Sequence, residues 1–226
     1  MNNIWGLIKK DLLNLSSYKT SLLILIIFCA IAIGSTGTIT FVPIIVCAIT
    51  GMIALSTFNY DETSQADKYI LSLPVTRQDI VLSKFILAIS STIIGALLGF
   101  LFTIFLVNIL NIIRPDSLIT LDYNNLLTTT IGAMFGISLI QSIQIPSIYK
   151  WGAEKGRIQM FVLIFVLVVL ILGISYLVMN SNFNINLEDI ENFMNKFGII
   201  TLILAMIIMY YISFKLSLKI FKHKDY

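Results

Sequence analysis

Between Asn59 and Phe85 lies the chain's densest run of ionisable side chains, Asp61, Glu62, Asp67, Lys68, Arg77, Asp79 and Lys84, interleaved with Tyr69, Ile70, Leu71 and Leu73. Mixed charges and apolar anchors suit docking to a soluble partner: apolar groups fill a cleft and charges set the register. Pro74 interrupts any helix through the segment, and Thr76 with Asp79 three residues later has the capping-box pattern. The expectation is a short helix, a corner, then a long helix. A second charged group, Glu154, Lys155 and Arg157, lies in the stretch YKWGAEKGRIQ (149–159) and offers either a second contact or a site for lipid headgroups. Gln141 and Gln144 share a helical face, with Thr130 and Ser138 on the same helix. They are candidates for lining a polar path, or for hydrogen bonds between helices.

Reactive chemistry finds little support. The only histidine, His223, lies in a basic tail, and Cys29 and Cys47 fall inside apolar runs, so no clustered set of metal ligands is expected. No GxxxxGK[ST] occurs, and no Ser and His pair or buried acids suggest an intramembrane hydrolase. Lys215 alone carries charge within an apolar stretch, close enough to a helix end to snorkel, which argues against coupling to a proton gradient. The chain reads as neither an enzyme nor a cofactor carrier, and any energy must come from another chain.

The elements that position these residues follow from composition. Of 226 residues 58% are hydrophobic and 12% charged, too greasy for a soluble domain. The expected fold is all-α and polytopic, a single transmembrane domain over 1–226. At 2–17, Ile4, Trp5, Ile8, Leu12 and Leu15 share a face opposite Lys10 and Asn14, the pattern of an interfacial helix. No charge occurs between Lys19 and Asp61, a stretch that as one helix would extend roughly 60 Å against a hydrocarbon core of about 30 Å. It must turn back, at Gly34 to Gly37. Six spans are expected, near 20–35, 38–59, 83–111, 126–146, 160–179 and 197–217, with cytoplasmic loops at 60–82 and 148–159. The segment 180–196 reads as an outer amphipathic helix, and Gly95 with Gly99, and Gly132 with Gly136, have a close-packing spacing. Of the 15 Lys and Arg, all but Arg114 and Lys196 fall on the side of the termini, which places both termini in the cytoplasm.

Tyr60-Asp61-Glu62, Asp67, YILSLPVTR (69–77), Ile80-Val81 and Ser83-Lys84, with Pro146, Tyr149-Lys150, Gly152 and EKGR (154–157), resemble the short ABC-2 type membrane subunits of bacterial ATP-binding cassette exporters. The similarity covers nearly the whole chain. Within the family it is similar to permeases that export amphipathic peptides such as phenol-soluble modulins, and to peptide-antibiotic resistance permeases. The resemblance implies a dimer, with itself or a paralogous permease, carried on two copies of a separate ATPase subunit in the bacterial plasma membrane. It makes the loop between spans two and three a coupling helix. Asp61, Glu62, Asp67, Lys68, Tyr69, Leu71, Leu73, Pro74, Arg77 and Asp79 then contact the ATPase. The other implied partners are membrane lipids and amphipathic peptide cargo, and no nucleic acid. A membrane scaffold or sensor that holds a cytoplasmic partner without transport is the reading from another class.

Overall fold

The computed structural model describes residues 2–15, 40–70, 74–113, 120–180 and 187–223, and among them every element is a helix. We number them α1 (Asn2–Leu15), α2 (Phe41–Thr63), α3 (Ala66–Ile70), α4 (Arg77–Ile113), α5 (Tyr123–Trp151), α6 (Ala153–Asn180) and α7 (Leu187–Lys222). Pro43 is the third residue of α2, where its missing N–H costs no intrahelical bond. The corner at Pro74 and the capping box are both present: Asp79 N–H donates to Thr76 Oγ1 at 3.2 Å, and Thr76 N–H donates to Asp79 Oδ2 at 3.1 Å. α5 starts at Asp122, whose Oδ1 accepts from the Asn124 and Asn125 N–H groups.

Four helical stretches among the described residues are long and apolar enough to cross a membrane: Phe41–Thr63, Arg77–Ile113, Tyr123–Trp151 and Gly198–Lys222. They contain the expected third and fourth spans and most of the second and sixth. The fifth falls within α6, many of whose side chains lie outside the described residues, as do the whole first span, 20–35, and the turn at 34–37.

Two boundaries differ from expectation. Residues 60–63 form the last turn of α2 and 77–82 the start of α4, so the loop expected at 60–82 shortens to the corner between them. The loop expected at 148–159 shrinks to one joint, because α5 runs to Trp151 and α6 begins at Ala153. Gly152 makes that joint at φ 90°, a conformation that side-chain-bearing residues rarely adopt, and a Cβ there would stand 2.8 Å from the Glu62 carboxylate. The outer amphipathic helix expected at 180–196 is continuous with the last span from Leu187 onward, and the side chains of 187–197 lie outside the described residues.

Packing is tightest where backbones approach. At Gly99 an added Cβ would come 2.9 Å from Pro43 Cα, and at Gly95 it would collide with Thr50, so α4 lies directly on α2. The largest core cluster takes a residue from every one of the seven helices, including Leu7, Phe58, Ile70, Phe85, Tyr149, Ala153 and Phe221. Edge-to-face ring contacts run through it, Phe58 to Tyr149 at 5.5 Å and Tyr149 to Phe221 at 5.2 Å. The other clusters are smaller and lie on α2, α4 and α5: Val42, Val46 and Leu106 in one, Cys47, Ala96, Ala133 and Ile137 in the other. The bundle is therefore fastened most firmly at the end that carries the charges.

Candidate functional site at the charged end

Four charged side chains from three helices meet beside that core. Lys84 Nζ lies 2.6 Å from Asp61 Oδ2 and 2.9 Å from Asp11 Oδ2, while Lys10 Nζ lies 2.5 Å from Asp61 Oδ1 and 3.3 Å from Asp11 Oδ1. The last distance is an ion pair without hydrogen-bond geometry, since Asp11 Oδ1 has no hydrogen-bond partner. Two ammonium groups and two carboxylates make a neutral quartet, and Asp11, Asp61 and Lys84 are all buried, Asp11 to 1% exposure. Lys84 also donates to Thr57 Oγ1 at 3.2 Å and stands 5.0 Å from the centre of the Phe58 ring. Burial works to lower the Lys10 pKa, but the hydrogen bond to Asp61 and the two nearby carboxylates outweigh it, so the ammonium is held above its ordinary range. Buried charge is tolerated only when paired, and the quartet ties α1 to the end of α2 and the start of α4.

The neighbouring charges fasten the remaining helices. The Glu62 carboxylate accepts the Ala153 N–H and so caps α6 at its positive end. Arg77 Nη1 donates to the Phe221 carbonyl at 3.0 Å and the Lys222 carbonyl at 2.7 Å, capping α7 at its negative end. Asp61, Glu62 and Arg77, expected from the sequence as contacts for a partner, thus have their charged groups engaged with their own subunit. Asp79 is held in the Thr76 box, whereas Tyr69, Pro74, Glu154 and Lys155 are exposed. Leu71 and Leu73, and the side chains of Asp67, Lys68 and Arg157, lie outside the described residues.

Gln141 and Gln144 are both inside the bundle. Gln141 Nε2 donates to the Gly51 carbonyl at 3.1 Å, and its Oε1 accepts from Thr92 Oγ1 at 3.1 Å and Tyr210 OH at 2.6 Å. One amide thereby links α2, α4, α5 and α7 by hydrogen bonds between helices. Gln144 Oε1 is buried with no hydrogen-bond partner, as are Ser213 Oγ and Ser217 Oγ on α7. Each such group costs about 1–3 kcal/mol.

Sequence reasoning missed Asp11 and gave Lys10 and Lys84 no role at a site. A usable signal was present: Asp11 falls four residues after Leu7, and these two form the buried stripe of α1, while Trp5 and Leu12 of the expected apolar face are exposed. An acid on the inward stripe of an interfacial helix needs a cation, and Lys84 is the one that α4 supplies.

Long apolar helices, uncharged through their middle and joined at one end by a neutral ion-pair cluster, define a polytopic membrane protein. The chain belongs to the ABC-2 family: the model of the ABC-2 family transporter protein matches residues 6–222. It is therefore the membrane-embedded permease component of an ABC transporter, a subunit type that pairs with an ABC ATPase and is not itself catalytic. No curated protein matches the chain.

Proposed function

We propose that this subunit exports amphipathic peptides, working as a pair of copies on two ATPase subunits, with the charged end and both termini in the cytoplasm. The observation that carries this reading is the two-sided elbow between α2 and α4. Asp61 from inside the bundle, and Glu62 and Arg77 from its rim, hold α1, α4, α6 and α7, while Tyr69 and Pro74 are exposed. A load applied to such an elbow reaches four helices at once. Uncharged spans suit a cargo that is itself amphipathic and favour movement driven from outside the bilayer.

On this reading the ATPase docks on Tyr69 and Pro74 with Asp67, Lys68, Leu71, Leu73 and Asp79, and Glu154, Lys155 and Arg157 supply a second contact. Asp61, Glu62 and Arg77 transmit the load and do not touch the motor. The test is a pull-down of the ATPase from membranes, with hydrolysis measured in lipid as amphipathic peptides are added. Y69A is expected to weaken capture several-fold, and an amphipathic helical peptide to stimulate hydrolysis where a scrambled, non-amphipathic version does not. Undiminished capture by Y69A removes the docking surface, and hydrolysis indifferent to every such peptide removes the cargo class.

A further inference from the structure

Arg77 is the first residue of α4, immediately after the corner, yet its guanidinium holds carbonyls at the other end of the sequence, those of Phe221 and Lys222. The last carbonyls of a helix have no intrahelical donor, so a cation there satisfies orphan acceptors and complements the helix dipole. α7 is tied to the elbow by this clasp, outside the ion-pair quartet. α5 and α7 run parallel, since Gln141 meets Tyr210 and, nearer the charged end, Tyr149 meets Phe221. Counted from the first pair Gln144 lies level with Ser213 and from the second level with Leu216, so Ser213 and Ser217 bracket it.

Serines of the neighbouring helices donate to their own backbone, as Ser138, Ser142 and Ser83 do. Ser213 and Ser217 do not, although both are buried, and Gln144 Oε1 at the same level has no partner either. The contact between α5 and α7 is thus pinned by a strong hydrogen bond at Gln141 and left unsatisfied from there to the clasp. In an apolar surround such groups favour any displacement that pairs them.

We propose that Arg77 is a positioning residue that makes α7 the output arm of the elbow. When the elbow moves, α7 is drawn along α5 about the Gln141–Tyr210 bond, and Gln144, Ser213 and Ser217 pass from unpaired to paired. This rests on the reading of the chain as an ATP-driven permease.

The experiment uses the permease with its ATPase in lipid, C29A and C47A removing the native thiols and spin labels on I143C of α5 and L216C of α7, both exposed, reporting the distance between the two helices. That distance is expected to change when the complex is trapped with ATP and vanadate. R77Q should abolish the change while the ATPase stays bound, and R77K, which keeps a donor cation, should restore it. Equal distances in the two states, with a bound and hydrolysing ATPase, overturn the inference and leave the permease reading standing. A change that persists in R77Q, or loss of the ATPase from R77Q, overturns it as well, the second making Arg77 a docking residue. If the unaltered chain captures no ATPase, the permease reading fails and the inference with it.

Discussion

Lys84 and Asp61 face each other at 2.6 Å across the junction of α4 and α2, and each is shared, the ammonium with Asp11 and the carboxylate with Lys10. With nearly all of the quartet withdrawn from water, removing one member leaves an uncompensated charge, which costs far more than removing a matched pair. K84M or D61N alone should cost about 3–5 kcal/mol. The double variant D61N/K84M, which leaves Lys10 with Asp11, should cost less than the sum. A double-mutant cycle on thermal unfolding in detergent checks this, and strict additivity would show that the two do not interact.

The same cluster sets an alkaline limit. A lysine whose folded pKa exceeds its unfolded value of 10.5 contributes stability that is fully present below 10.5 and is lost as pH rises through the folded value. K10M should therefore be equally destabilising at pH 7 and pH 9, with the gap to the unaltered chain narrowing only above 10.5. Melting curves at pH 7, at pH 9 and above 10.5 measure it, and a gap that already closes by pH 9 contradicts the raised pKa.

Glu62 caps α6 across the elbow, so E62Q should cost about 1 kcal/mol. The loss is local. Hydrogen exchange should quicken at amides 153–156 while α1 and α4 keep their protection. G152A should be worse than E62Q, since it brings both a strained φ and a Cβ against the carboxylate.

Gln141 joins four helices through three hydrogen bonds, each worth about 0.6 and at most about 1.7 kcal/mol in a membrane bundle. Q141L should lose about 2 kcal/mol in all and Y210F about a third of that, read as falls in the thermal midpoint. If Q141L melted with the unaltered chain, the amide would not be the staple described.

Much of this architecture was legible in the sequence because hydrophobic length and local capping are short-range properties. The uncharged run from Phe85 to Ile113 must be a helix in a bilayer whatever surrounds it, and Thr76 with Asp79 starts that helix by a contact three residues long. Gly95 and Gly99 make the close approach that their spacing suggested, whereas Gly132 and Gly136, equally spaced, meet nothing within 4 Å, so spacing alone did not tell the two pairs apart. The joint at Gly152 was harder to see, because one glycine turned by a remote carboxylate looks like a loop until Glu62 is in place.

The tertiary structure alone decided which way the charges of the elbow point. Asp61, Glu62 and Arg77 looked like groups reaching for a partner, since a charge waiting for another chain and a charge engaged by its own have the same letter in a sequence. Their partners are Lys10, the Ala153 N–H and the Phe221 carbonyl, set beside them only when helices distant in the chain pack side by side. The class and four of the expected spans were readable from composition, because the bilayer acts on each segment separately; the network that joins the helices exists only in the folded bundle, because ion pairs and caps depend on positions that no single segment determines.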